Sequence, residues 1–120
     1  MESKVRFLSL NVGMRGDLAG LLAMIDDYKP DVVFLQEIKA TEEDLDSKFK
    51  KLGFMCRVNN ADEASKPGTA IVWRISLQLT DFVNIVVGRA QVAVLGSHIL
   101  LNIYAPSGTN SRQERNLFFE

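Results

Sequence analysis

One cysteine and one histidine in 120 residues leave this chain with little of the chemistry that thiols and imidazoles usually supply. The single Cys56 excludes an intramolecular disulfide. Its place in the apolar run "FMCRVN" reads as a space-filling strand residue, which suits a reducing compartment, nucleus or cytoplasm. The single His98 falls between two expected strands in "LGSHILLN" and reads as a turn or strand residue rather than a general base. No apolar run approaches the ~18 residues a membrane helix needs, and "MESKVRF" lacks the apolar stretch of a signal peptide. A membrane partner is therefore not expected, and the chain reads as intracellular. A net charge of −1 provides no global basic footprint. Any nucleic-acid partner would have to be held by local lysines and arginines or by a metal. Repeats and low-complexity tracts are lacking as well.

What is present is the balance of a soluble globular domain, 47% hydrophobic and 24% charged. "VRFLSLNV" reads as a strand. Asp17 is a plausible N-cap for a helix over Asp17 to Lys29, whose Leu18, Leu21, Leu22 and Ile25 recur at helical spacing and which should stop before Pro30. "DVVFLQE" follows, a continuous apolar run with the look of a strand buried on both faces, so the three elements make a right-handed βαβ unit. Thr41, with Asp44 three positions on, can cap a second helix to Leu52. That helix would carry Leu45, Phe49 and Leu52 inward and Lys48, Lys50 and Lys51 on a solvated face, and Gly53 would end it.

Beyond this the pattern becomes short strands separated by turns: "FMCRVN", "TAIVWR", "VNIVVG", "AQVAVL" and "ILLNIY", with "NNADEASKPG" a loop by composition. The simplest assembly is a mixed α/β sheet, helices on one face, extended by antiparallel strands. Ser111 and Glu114 have capping-box spacing and announce a third helix. Leu117, Phe118 and Phe119 crowd the last four positions, an apolar cluster that should dock onto something.

Asn11 is expected near the C-terminal end of the first strand and Glu37 just beyond the C-terminal end of the second. Open α/β sheets bind ligands outside the carboxyl ends of their strands, so an amide oxygen and a carboxylate there suit a hard cation such as magnesium. Each residue alone also fits ordinary turn and loop chemistry. "LLNIYAPSG" poses a related question, because Tyr104 stands where an apolar strand breaks into turn residues. It is either an aromatic capping the core or a phenol aimed at a ligand.

Taken in order, "SLNVGMRG", "DVVFLQE", "GTAIVWR" and "NIYAPSG" resemble the N-terminal half of the endonuclease/exonuclease/phosphatase superfamily, over nearly all 120 residues. That superfamily includes abasic-site endonucleases, deoxyribonuclease I and the endonuclease domains of long-interspersed-element (non-LTR) retrotransposons. "NIYAPSGTNSRQERNLFFE" is most similar to the last group. The resemblance implies a single partial domain over 1–120, the N-terminal half of a deoxyribonuclease I-like four-layer α/β sandwich (α+β). It also implies a hydrolase that uses Mg2+ or Mn2+ to cleave phosphodiester bonds, as a retroelement-type DNA endonuclease does. Glu37 would be its metal-binding glutamate and Asn11 the neighbour at the metal and phosphate site. Tyr104 would be the catalytic tyrosine near the scissile phosphate, where a phenol can donate to a phosphoryl oxygen. DNA is the partner so implied, with RNA or a phosphorylated small molecule behind it.

The departures count equally. The family's "GDFN"-type and "SDH"-type motifs, which supply an aspartate, an asparagine and the catalytic histidine, do not occur in this sequence. The chain alone should therefore be inactive and should need a missing C-terminal half, or self-associate to cover its sheet. A phosphatase or phosphodiesterase of the same superfamily, or a non-catalytic half-domain used for binding or assembly, are the alternatives.

Overall fold

The expected segments become seven strands and two helices in a computed structural model that describes residues 4–13, 19–60 and 67–105. The order is β1 (Phe7–Asn11), α1 (Ala19–Tyr28), β2 (Val32–Ile38), α2 (Glu42–Phe49), β3 (Phe54–Asn59), β4 (Gly68–Arg74), β5 (Leu79–Val86), β6 (Ala90–Leu95) and β7 (His98–Ile103). Strands β1 and β2 pair in parallel, Phe7 opposite Val32 and Asn11 opposite Gln36, with α1 as their crossover. Asp17 and Leu18, the capping box at Ser111 and Glu114, and the Leu117, Phe118, Phe119 cluster lie outside the described residues.

The cap of α2 forms as its sequence suggests. Thr41 Oγ1 accepts the Asp44 N–H at 3.1 Å, and Leu45 and Phe49 are fully buried. The last turn tightens into a 3₁₀ segment, Lys50–Leu52, and ends at Gly53 with φ 84°, a conformation glycine adopts without Cβ strain. Leu52 does not point inward as expected. It is 48% exposed, at the corner where the chain turns into β3, and lines an open cleft with Leu22, Ile25 and Phe54.

The antiparallel strands divide. β4 and β3 extend the first sheet in the order β1-β2-β4-β3, while β5-β6-β7 form a second sheet instead of prolonging the first. The cause lies in β4, which is buried from Gly68 to Trp73 and needs cover on both faces. One face packs under the helices. Val33, Leu35, Ala70, Val72, Phe54 and Cys56 meet Leu21 and Ile25 of α1 and Leu45 and Phe49 of α2. The other face gives Val32, Ile71 and Trp73, which pack against Leu79, Ala93 and Leu100 of the second sheet. The inner face expected to lie open is therefore closed by the chain's own β5–β7.

That inter-sheet layer changes character along the strands. Away from the apolar cluster, toward the carboxyl ends of β1 and β2, the register aligns Asn11, Gln36, Thr69 and Asn59 across the first sheet. Gln91 and Asn102 stand together opposite them on the second. Asn59, Thr69, Gln91 and Asn102 are buried. The two sheets are joined by an apolar core at one end and a layer of amides at the other.

Candidate functional site

The amide layer leads directly to Glu37. In β2 the residues alternate, with Val32, Phe34 and Gln36 toward the second sheet and Val33 and Leu35 toward the helices. Strict alternation would send Glu37 into the helix-side core. Instead the register shifts between Gln36 and Ile38, and Glu37 sits in the left-handed region at φ 56°. This bulge returns Ile38 to the helix-side core, where it is buried, and turns the carboxylate out of it. A non-glycine residue in that region is costly, and such strain gathers where a side chain must be aimed. Glu37 therefore lies within β2, one residue short of its end, and not just beyond it.

The carboxylate meets residues from two other elements. Tyr104, just past β7, donates its hydroxyl to Glu37 Oε1 at 3.0 Å. On the other side a Cβ built on Gly13 would lie 3.9 Å from Oε2, so the carboxylate rests against the turn that follows β1. That turn is fastened by Asn11, whose Oδ1 accepts the Gly13 N–H at 3.0 Å, and by Val12 N–H to Gln36 O at 2.9 Å. Asn11, Glu37 and Tyr104 thus converge at the carboxyl ends of β1, β2 and β7. The side chain of Asn11 also performs the turn role that its sequence context allowed.

Arg89 joins them without having been distinguished from the other arginines in the sequence. Its carbonyl accepts the Tyr104 N–H at 2.7 Å, and its guanidinium lies 5.2 Å from the centre of the Tyr104 ring. The β5–β6 turn that carries it is held by Asn59, which donates to Val86 O and Ala90 O at 3.0 and 3.1 Å and accepts the Gly88 N–H at 3.0 Å. Two other arginines are structural. Arg74 pairs with Asp31 at 3.0 Å and covers the Phe54 ring, and Arg57 covers the Phe82 ring at 4.7 Å. Arg15, Arg112 and Arg115 lie outside the described residues.

His98 opens β7, exposed, at the opposite end of the strand from Tyr104. Six residue steps of extended chain separate the two, about 20 Å. The histidine is therefore remote from the carboxylate. Among the described residues no group of three or more His, Cys, Asp or Glu side chains could hold a metal ion. The donors at hand are one carboxylate and amide oxygens, a hard-ligand set that suits Mg2+ or Mn2+ completed by water and phosphate oxygens, and does not suit thiophilic metals. Cys56 is not part of any such site. It lies buried beneath α2 on the other face of the first sheet, its thiol pushed up to about 12 by burial and by Asp46 and Glu42.

Known proteins extend this description. The chain resembles the solved structure of an AP endonuclease from Archaeoglobus fulgidus, with TM-score 0.78 and 18% identity over 96% of this chain and 48% of the other. Danio rerio TDP2 complexed with single-strand DNA product gives 0.63 and 23% over 98% and 52%. TDP2 from Caenorhabditis elegans gives 0.69 and 21% over 96% and 39%. The chain spans about half the length of these structures or less, and at such identity the likeness is one of fold. No curated protein matches it. The model of the endonuclease/exonuclease/phosphatase family, however, matches residues 8–115, from the second residue of β1 through both sheets and including Asn11, Glu37 and Tyr104, and on that match the chain belongs to this family.

Proposed function

We propose that this chain supplies the metal-and-phosphate half of a magnesium-dependent phosphodiester-cleaving nuclease, a DNA endonuclease of the retroelement type. The observation that carries the reading is the 3.0 Å hydrogen bond from Tyr104 to Glu37, which joins residues 67 positions apart at the carboxyl ends of their strands. Glu37, with Asn11 beside it, would hold Mg2+ or Mn2+. The ion, when bound, supplies Lewis-acid stabilisation of charge on a phosphoryl oxygen. Tyr104 has a single hydroxyl proton and can give it to Glu37 or to a phosphoryl oxygen, not to both. Turning that hydrogen bond to the phosphate, with the proton staying on the phenol, leaves both Glu37 oxygens to the cation and places a donor where negative charge grows. Arg89 stands behind the phenol and adds positive charge on the same side. DNA as the polymer is supported by the product-bound TDP2 among the structures of similar fold.

The role not filled is that of a base to deprotonate the attacking water, since the one histidine lies at the far end of β7. General-base help is worth about 10²–10⁴-fold, so the chain alone should be inactive. Plasmid nicking with Mg2+ checks this in three arms: the chain alone, the chain with a complementary segment bearing "GDFN"-type and "SDH"-type motifs, and both of these repeated with Glu37→Gln. Nicking is expected only in the second arm. Nicking by the chain alone that Glu37→Gln abolishes would require a base within these residues, and complemented nicking indifferent to Glu37→Gln would remove Glu37 from the site. A parallel assay on a phosphomonoester separates a phosphatase from a nuclease.

A further inference from the structure

We infer that Asn102 and Gln36 are positioning residues for the Glu37–Tyr104 pair, an inference that rests on the reading of that pair as the working site. Asn102 is 1% exposed and sits in β7 two residues before Tyr104, which follows the strand. Its Oδ1 accepts from Gln36 Nε2 at 2.9 Å. Its Nδ2 lies 3.1 Å from Leu35 O, 2.9 Å from Ala70 O and 3.0 Å from Gln91 Oε1. One amide thus reaches two side chains and the carbonyls of a cross-strand pair in the first sheet. Leu35 and Ala70 face each other in the ladder just before the bulge at Glu37.

Gln36 immediately precedes Glu37. Its Nε2 also lies 3.0 Å from Ser9 Oγ, so the same side chain ties β1, β2 and β7 together. The Gln36–Asn102 bond therefore links the residue next to the metal carboxylate to the strand that delivers the tyrosine. An apolar contact could hold the sheets together equally well, but it would tolerate sliding. Directional bonds from a buried amide fix register, because leaving any of these groups unpaired in the interior is costly. An offset of about 1 Å between Glu37 and Tyr104 would already break their hydrogen bond. Gln91, whose Nε2 reaches Arg57 O at 3.3 Å, belongs to the same layer but has no direct bond to Gln36.

The test uses the full 120-residue chain carrying Tyr28→Phe, so that Tyr104 is its only tyrosine. Two readouts are followed: the intensity ratio of the tyrosine Fermi doublet in the Raman spectrum, which reports hydroxyl donation, and amide line broadening during titration with Mn2+ alone. Gln36→Leu, which removes the bonds to Ser9 and Asn102 beside the Glu37 bulge, should shift the doublet away from the donor ratio and weaken Mn2+ binding severalfold through loss of position rather than of a direct partner of Glu37. Gln91→Leu, which disturbs the amide layer without touching Gln36, should lower stability and leave both signals unchanged. Gln36→Met replaces Gln36→Leu if the latter does not fold. An unchanged doublet in a folded Gln36 variant, an equal shift in Gln91→Leu, or unfolding by both Gln36 variants would overturn the assignment and leave the amides a purely structural role. If broadening persists unchanged in Glu37→Gln the metal reading fails instead, while the doublet still decides whether Gln36 positions Tyr104.

Discussion

Cys56 shows what one residue contributes when it lies away from the site. Its thiol packs in the helix-side core and donates weakly to Glu42 O at 3.7 Å. Burial first, then the charges of Asp46 and Glu42, raise its pKa from 9.0 to about 12. The folded chain therefore holds this proton more tightly than the unfolded chain. Its contribution is fully present below about pH 9 and is lost as the pH climbs toward 12. Thermal unfolding of the parent should fall more steeply over that window than that of Cys56→Ala. Parallel profiles would show that the thiol does not titrate against folding. The sequence made this residue's role readable, since a lone cysteine in an apolar strand has few other uses. Glu37 was readable as a site candidate from "LQE" at the end of an apolar run, but its bulge was not. Nothing in a list of side chains states that a strand will break its alternation at one residue, and here the break is what allows Ile38 to stay in the core.

At the level of elements, all seven strands and both helices stood out in the sequence because each combines apolar or β-branched residues with clear turn signals. The division into two sheets did not. A strand's own pattern says how many faces are buried and leaves open what buries them, so "AQVAVL" and "ILLNIY" fit an extended sheet as well as a second layer. The amides were overlooked for a related reason. Nothing in their strand segments sets Gln36, Asn59, Gln91 and Asn102 apart, and only the register places them in one layer. Gly68 shows how tightly that end of the structure is assembled. It faces Ile38 across the bulge, and a Cβ at this position would come within 2.3 Å of Asn59 O and 3.1 Å of Asn60 Cα. These are backbone atoms and cannot swing aside. Gly68→Ala should therefore cost about 1–3 kcal/mol, the range of overpacking, measured as a lowered denaturation midpoint. It should also perturb amide signals around Glu37. A midpoint equal to that of the parent would mean that β3 and β4 can separate at this end without loss.

For the whole molecule, the surface left open is the reverse of the one expected from the sequence. The inner faces of the two sheets cover each other, whereas the outer face of β5–β7 carries Val83, Ile99, Leu101 and Ile103 at 55, 74, 50 and 39% exposure. Among the described residues strand β7 is moreover an edge strand, paired within its sheet only to β6. An apolar face beside an unpaired edge is a template for another chain, because it offers both hydrophobic burial and a row of backbone donors and acceptors. Among the described residues nothing covers this face, and a second copy of the chain would supply such a cover. Sedimentation at micromolar concentration should show concentration-dependent association that Ile99→Lys with Leu101→Lys suppresses. Both positions point away from the amide layer, so the double variant should keep the Tyr104 to Glu37 hydrogen bond. The complementary segment bearing the missing motifs, if it covers this face as it completes the site, should suppress association in the parent as the lysines do. A parent chain that sediments as a monomer at every concentration would remove self-association as the means by which this face is covered.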